Sequence, residues 1–163
     1  MNQPLLKVQD VSYTYHTKAG ETPALSHISF SVFPGEFVAI VGPSGCGKST
    51  FLDMLCGLLK PSSGELLLNE KPLAESATNI GYMLQKDHLF EWRTIYSNML
   101  LGLEIQKRIT PKSKERVDNL LENYGLDKFK GSRPSQLSGG MRQRAALIRT
   151  LALEPDLLLL DEP

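Results

Sequence analysis

The sequence predicts an α/β fold made of an N-terminal antiparallel β segment, a parallel-strand core and a helical insert. Three observations support this. Apolar residues alternate with polar ones at Ile28, Phe30 and Val32, which is the period of a half-buried strand. A continuous apolar run at 37–41 precedes a glycine-rich loop, as expected of a strand buried on both faces. Residues 94–153 then carry apolar side chains at helical spacing.

Length and charge narrow the class of protein. The chain has 163 residues, enough for one domain with its own core. Its 18 basic and 18 acidic residues cancel, so there is no electrostatic case for a nucleic-acid partner. No apolar run approaches the roughly 18 residues of a membrane span, and the N-terminus lacks the basic and apolar regions of a secretory signal. We therefore expect a cytosolic protein.

The first half of the chain reads as strands around one helix. Residues 5–35 predict antiparallel structure that ends at a Pro-Gly turn. The run at 37–41 predicts a buried strand, and a helix should begin near Ser49. Its apolar positions are Phe51, Leu52, Leu55, Leu58 and Leu59. The Lys-Pro-Ser-Ser-Gly run at 60–64 is expected to end that helix, and strands are expected at 65–69 and 80–85.

The second half predicts three helices and a final strand. The first helix is marked by Ile95, Met99 and Leu103 at intervals of four residues. The second is marked by Val117, Leu120, Leu121 and Tyr124, with Gly125 as its stop. The third helix follows Ser138 and ends before residue 154. Four leucines at 157–160 then predict a buried strand that ends in two acids.

A phosphate-binding loop is the most specific motif of the chain. Gly42, Gly47, Lys48 and Ser49 match the pattern G-x-x-x-x-G-K-[ST]. Glycines let the backbone wrap an anion, and the following helix adds its positive end. The lysine can reach the outer phosphates and the serine hydroxyl can bind magnesium. The candidate nucleotide-binding residues here are Gly42, Pro43, Ser44, Gly45, Cys46, Gly47, Lys48, Ser49 and Thr50.

The acids after the leucine strand suit hydrolysis of the bound phosphate. Asp161 at the strand end can hold magnesium opposite Ser49. The adjacent Glu162 can polarise an attacking water as a general base. The alternative is a pair of acids that merely caps a strand.

A third motif, Leu-Ser-Gly-Gly-Met-Arg-Gln-Arg at 137–144, makes the chain resemble the ATP-binding cassette (ABC) ATPases. Ser138, Gly139 and Gly140 offer a hydroxyl and N–H groups at a helix N-terminus. The resemblance implies that this surface faces an ATP molecule held by a second subunit, so that nucleotide is sandwiched in a homodimer. It also implies ATP and Mg²⁺ as cofactors. Taken alone, the motif could also be an ordinary helix N-cap.

The resemblance assigns further roles. Tyr15 lies where such proteins carry an adenine-stacking aromatic, with Tyr13 as its rival. Gln85 matches the glutamine that senses magnesium, water and the transport partner, and so joins Lys48 and Glu162 among the catalytic candidates. The stretch that contains Phe90 and Trp92 resembles the docking surface for a membrane-spanning permease subunit. Those two aromatics could equally belong to the core of the helical subdomain.

The signature points to a branch of the family. Its Gly-Gly-Met-Arg-Gln-Arg form resembles importers of nitrate, sulfonates, taurine and related small compounds, which work with a solute-binding protein. Thiamine-precursor importers resemble it too. Met141 stands where glutamine is commonest, and a thioether cannot replace the hydrogen bonds of an amide.

The end of the sequence departs from the family. Members continue past the catalytic acid with an Asp-containing loop and a strand that ends in a switch histidine. His16, His27 and His88 all precede the acidic strand, so none can be that histidine. The sequence therefore predicts a C-terminally truncated cassette without its last strands. We expect a single domain over 1–163, with a nucleotide-binding core at 1–86, a helical subdomain at 87–153 and the acidic strand at 154–163.

The leading hypothesis is an ATPase subunit of an importer, peripheral on the inner face of the cell membrane. A soluble ABC ATPase of DNA repair or translation is an alternative, although the stretch between Gln85 and Ser138 has the length of a compact transporter insert. A third hypothesis is that this chain alone binds nucleotide without turnover.

Overall fold

A computed structural model describes residues 3–18, 20–76 and 78–162. These residues form two compact units that divide between Thr78 and Asn79. The subdomain boundaries expected at 86 and 153 remain predictions. No helix among the described residues has both the length and the apolar character needed to cross a bilayer.

The first unit is built on an antiparallel sheet in the order β2-β1-β3-β4. Its strands are β1 (Leu6–Thr17), β2 (Gly20–Val32), β3 (Ser63–Leu68) and β4 (Lys71–Pro72). The sheet supplies much of the buried core of this unit, including Leu6, Val8, Val11 and Leu68. The alternating pattern at 28–32 therefore predicted the right kind of structure.

Helix α1 (Lys48–Leu55) packs its apolar side on this sheet. Phe51, Leu52, Met54 and Leu55 are buried, and the Phe51 ring lies 5.7 Å from that of Phe30 on β2. The helix thereby fixes the phosphate loop, which immediately precedes it, against the sheet.

Helix α1 ends earlier than the sequence pattern predicts. Gly57, at φ +75°, turns the chain, and its N–H donates to Met54 O at 3.0 Å while that of Leu58 donates to Asp53 O at 2.9 Å. This pair of bonds is a Schellman motif, which stops a helix at a left-handed glycine. The prediction that the helix continues through Leu58 and is stopped by 60–64 is wrong, and the Leu58 side chain is 68% exposed.

The buried strand predicted at 37–41 is also absent. These five residues have no regular structure and are all exposed, with Phe37 at 90% and Val41 at 91% of their full accessible area. Among the described residues no strand pairs with this segment. An apolar run forms a strand only where neighbours satisfy its backbone groups and cover its faces, and neither is supplied here.

The second unit combines a two-stranded parallel sheet with three helices. Strand β5 (Ile80–Met83) pairs in parallel with β6 (Leu157–Leu160). Helices α2 (Ile95–Ile105), α3 (Pro111–Asn123) and α4 (Gly139–Leu151) share one apolar core. That core contains the predicted positions Ile95, Met99, Leu103, Val117 and Leu121. The helical insert and the leucine strand are thus confirmed.

Candidate functional site

The loop before α1 has the shape that its glycines require. Gly47 is the N-cap of α1 at φ +97°, a left-handed conformation that L side chains rarely adopt. A Cβ there would lie 2.6 Å from Ala24 O and 2.8 Å from Leu25 Cδ2. Only glycine fits this turn, so the loop can pass close to the sheet and bring Lys48 into the first helical position.

The Lys48 ammonium lies inside this loop. Its Nζ donates to Gly42 O at 2.8 Å and to Pro43 O at 3.0 Å. The N–H groups of the first turn of α1 have no intrahelical acceptors, and the Ser49 side chain is exposed beside them. The loop therefore presents a cation, N–H donors and a hydroxyl, which together suit an anion such as a phosphate.

Tyr15 lies close to the same helix. Its hydroxyl and the Thr50 Oγ1 are 3.0 Å apart, and its ring meets Tyr13 edge to face at 4.9 Å. Tyr15 is 38% exposed and Tyr13 is half-buried. Of the two rivals, Tyr15 thus has the more accessible ring and the direct contact with the phosphate-loop helix.

The acidic residues of the second unit follow β6. The Asp161 N–H donates to Met83 O at 3.0 Å, which extends the parallel pairing beyond the strand. Asp161 is buried, whereas Glu162 is exposed and holds a left-handed φ of +47°. Pro163, which follows, lies outside the described residues.

Gln85 and Glu162 meet directly. The Gln85 Nε2 donates to the Glu162 Oε2 at 2.7 Å, although the two residues are far apart in sequence. The parallel pairing of β5 with β6 explains the contact, because both side chains follow the carboxyl ends of neighbouring strands. Two of the three residues predicted to act in catalysis are therefore hydrogen-bonded partners.

The signature segment begins α4. Ser138 is the N-cap and its Oγ accepts from the Met141 N–H at 3.3 Å, so the N-cap interpretation holds for this side chain. The next two glycines are exposed, and a Cβ added to Gly139 or Gly140 would meet nothing within 4 Å. Neither residue has a positive φ. Packing within the described chain does not require these glycines, which leaves room for a molecule to approach the backbone from outside.

Met141 and the aromatics at 90 and 92 differ in burial. Met141 packs against the core of the three helices, which accounts for an apolar residue in the signature. The Phe90 and Trp92 rings stack at 4.6 Å. Phe90 is half-buried while Trp92 is 69% exposed, and neither ring belongs to the apolar core of the three helices. The role of this pair as a docking surface stays a prediction.

Sequence reasoning missed the polar side chains that shape the segment after β5. Asn98 is buried on α2; its Oδ1 accepts from the Phe90 N–H at 2.8 Å and its Nδ2 donates to Phe90 O at 3.1 Å. Arg149 and Gln143 on α4 also donate to this segment. The only available signal was a polar residue within an apolar helical pattern, which is too weak to identify a partner.

Magnesium is compatible with the candidate residues. The described residues contain no group of three or more His, Cys, Asp or Glu side chains that could hold a metal by themselves. Mg²⁺ usually takes one or two protein oxygens together with substrate phosphates and water. The hydroxyl of Ser49, the amide oxygen of Gln85 and the carboxylate of Asp161 are oxygen donors of that kind.

The two cysteines differ in reactivity. Cys46 lies exposed in the phosphate loop and Cys56 is half-buried. Burial, with a smaller effect of the nearby Asp53 carboxylate, raises the pKa of Cys56 to about 12. Cys56 is consequently protonated and unreactive at neutral pH, so Cys46 is available as a selective probe of the loop.

Comparison with known proteins places this arrangement in a family. The sequence model described as "ABC transporter" matches residues 25–163. The chain is 48% identical to the uncharacterized ABC transporter ATP-binding protein YtlC of Bacillus subtilis (strain 168) over 97% of its own length. It is 40% identical over 95% to the taurine import ATP-binding protein TauB of Pelagibacter ubique (strain HTCC1062). It is 37% identical over 99% to the nitrate transport protein NasD of Klebsiella oxytoca.

The chain spans 61% of YtlC, 59% of TauB and 63% of NasD. Two solved structures share its fold. The first is CbiO1 of Clostridium perfringens, part of the ABC transporter complex CbiONQ, with a TM-score of 0.83 and 33% identity over 100% of this chain and 66% of that one. The second is the ATP-binding cassette MJ0796 bound to ADP and Pi, with a TM-score of 0.84 and 31% identity over 96% of this chain and 73% of that one. The predicted ABC-type α/β fold is confirmed.

Proposed function

Because this chain belongs to the ABC transporter family, we propose that it is the ATP-binding and ATP-hydrolysing part of a membrane importer. The observation that carries the proposal is the phosphate loop, where the Lys48 ammonium is held by the carbonyls of Gly42 and Pro43. A cation enclosed by a loop at a helix N-terminus binds the outer phosphates of a nucleoside triphosphate.

Each candidate residue has a role in this proposal. Lys48 binds the β- and γ-phosphates, and the N–H groups of the loop at 42–50, apart from Pro43, surround them. Tyr15 stacks on the adenine. Ser49, Gln85 and Asp161 would hold magnesium, which would neutralise phosphate charge. Glu162 accepts a proton from the attacking water, and the Gln85 amide, bonded to its Oε2, orients that carboxylate.

The signature residues complete the site of a second subunit. The open space around Gly139 and Gly140 supports this role, because a phosphate could approach the first turn of α4 without steric conflict. Two copies of the full-length protein would close on two ATP molecules. Closure of these two copies on the cytoplasmic face of the membrane would drive a conformational change in the permease subunits.

The stacked pair Phe90 and Trp92 is the proposed contact with a permease subunit. An exposed aromatic ring supported by a second ring is a typical anchor for a partner groove.

The transported solute is proposed to be a small compound of the nitrate, sulfonate or taurine type, taken up with a solute-binding protein. The similarity to TauB and NasD supports this class. Uptake of labelled taurine and nitrate by cells with and without the gene tests this solute class. Uptake that does not differ between the two kinds of cell, for either compound, would exclude it.

A second candidate is nucleotide binding without turnover by this chain alone. The exposed and unpaired segment at 37–41 favours it, because that segment leads directly into the phosphate loop and nothing described holds it in a sheet. An ATPase assay separates the two candidates. Turnover by residues 1–163 would support the first candidate, whereas saturable binding of MgATP without turnover would support the second.

Alkylation of Cys46 tests nucleotide binding without any turnover. We expect iodoacetamide to modify Cys46 much faster than Cys56, whose thiol is protonated because its pKa is raised to about 12. Saturating MgATP should slow the Cys46 reaction at least about tenfold by covering the loop, while AMP should not. Mass spectrometry of the two cysteine peptides measures both rates. Equal rates at Cys46 with and without MgATP would contradict the proposed site.

A further inference from the structure

The segment that follows Gln85 has no regular structure and depends on side chains of α4 for its shape. His88 adopts a left-handed φ of +45°, which costs a non-glycine residue of order 1 kcal/mol and persists only when neighbouring groups enforce it. Within the segment, the Asp87 Oδ1 accepts from the Leu89 N–H at 3.1 Å. That bond alone does not fix the direction of the carbonyls of Asp87 and His88, which precede Leu89.

Arg149 supplies the missing partner for both carbonyls. Its Nη1 donates to His88 O at 2.7 Å and its Nη2 to Asp87 O at 2.8 Å. The guanidinium is a planar fork with fixed angles between its donors, so it sets two successive peptide groups at once. Burial of the guanidinium lowers the pKa of Arg149, and the nearby Asp87 carboxylate partly offsets this effect.

Two neighbours on α4 reinforce the same segment. The Gln143 Nε2 donates to Gln85 O at 3.3 Å, and the Arg142 Nε lies 3.2 Å from the Asp87 Oδ2. Side chains spaced along one helix therefore hold the backbone on either side of Lys86. Arg149 differs from the other two because it binds two carbonyls through short, paired hydrogen bonds.

We propose that Arg149 is a positioning residue, whose fork on the carbonyls of Asp87 and His88 keeps Gln85 where its amide donates to Glu162. The importance of Arg149 for catalysis rests on the proposed function, whereas its positioning of Gln85 does not. Among the described residues Arg149 makes no hydrogen bond to Gln85 or Glu162, and it acts through the backbone of residues 86–88. A lysine at this place keeps the charge but replaces the rigid planar fork by one freely rotating ammonium, which fixes the direction of two successive carbonyls less well.

The proposal is tested on the chain as it stands by nuclear magnetic resonance. The side-chain amide signals of Gln85, identified by their loss in Gln85→Glu, report its hydrogen bond to Glu162. Hydrogen exchange of the amides at 86–90 reports the backbone. We expect both Arg149→Lys and Arg149→Met to shift the Gln85 signals and to speed exchange at 86–90 about tenfold or more.

Arg144→Met is the matched control. Arg144 lies on the same helix and its Nη1 donates to another backbone carbonyl, Tyr124 O, at 2.7 Å. The control should affect exchange near Tyr124 and leave the Gln85 signals unchanged. Unmoved Gln85 signals in both Arg149 variants, or an equal shift in the control, would overturn the proposal. Failure of both Arg149 variants to fold would also overturn it, because Arg149 would then serve general stability.

Turnover by the full-length protein separates this inference from the proposed function. A positioning role predicts that Arg149→Lys lowers kcat about tenfold, with a much smaller change in the dissociation constant for MgATP, because Lys48 and the loop still bind the phosphates. A wild-type protein without ATPase activity would refute the proposed function and leave the resonance result intact. Normal kcat in Arg149→Lys, despite a displaced Gln85, would refute the catalytic relevance of the positioning.

Discussion

Replacing Lys48 by methionine is expected to raise the dissociation constant for MgATP about a hundredfold. The ammonium lies in the loop within reach of Gly42 and Pro43 carbonyls, and its hydrogen bonds to phosphate would be charge-assisted. Such bonds contribute about 1.5–3 kcal/mol each, and 1.4 kcal/mol corresponds to a tenfold change in affinity. Methionine keeps the length and the helix propensity of the side chain, so α1 should still form.

Fluorescence titration of a nucleotide analogue, with MgATP as competitor, measures this change. Lys71→Met is the control, because Lys71 is an exposed lysine on β4 of the same unit and lies outside the loop. It should bind MgATP as the wild type does. If Lys48→Met bound MgATP within about twofold of the wild type, the assignment of Lys48 to the outer phosphates would be wrong.

Glu162→Gln should abolish ATP turnover in the full-length protein and leave ATP binding intact. The amide has nearly the same shape but cannot accept the proton of the attacking water. Loss of a general base commonly lowers kcat by 10²–10⁴-fold. Since Glu162 is exposed, the exchange should have little effect on stability.

Phosphate release measures the turnover of this variant, and retention of labelled ATP after gel filtration measures binding. Glu122→Gln, at an exposed position on α3, is the matched control and should turn over normally. Turnover of the Glu162 variant at the wild-type rate would exclude Glu162 as the general base. Loss of ATP binding together with turnover would instead place Glu162 in the binding of nucleotide.

The sequence predicted those parts of the fold that depend on local pattern. Ile95, Met99 and Leu103 are buried on one helix, and Ser138 is an N-cap, because spacing and capping act over a few residues. The strands at 80–83 and 157–160 also followed from pattern, and an all-apolar run suits a parallel sheet, but their pairing with each other was not predicted.

Two predictions failed, for different physical reasons. The run at 37–41 has the composition of a buried strand, yet a strand exists only with neighbours that accept and donate its backbone hydrogen bonds. The composition of this run would suit a buried strand, but no strand among the described residues pairs with it. The length of helix α1 was overestimated for a local reason. Gly57 ends the helix through a Schellman motif, which the spacing of the apolar residues does not reveal.

Some parts of the candidate site could be predicted from the sequence and others could not. The phosphate loop was predictable because one short motif carries all its chemistry. The bond between Gln85 and Glu162 was predicted only as membership in one site, since the contact depends on strand pairing. The hydrogen bonds from Arg149 to residues 87 and 88 could not be predicted, because a guanidinium on a helix gives no sign of which carbonyls it meets.

The central claim is that residues 42–50 bind the outer phosphates of a nucleotide, and calorimetric titration of this chain tests it most directly. Titrations with MgATP, MgADP and AMP differ only in the phosphates that Lys48 and the loop can contact. The account predicts saturable binding of MgATP and MgADP at one site per chain, and AMP binding weaker by about a hundredfold or more. Equal binding of all three nucleotides, or no saturable binding of MgATP, would contradict it.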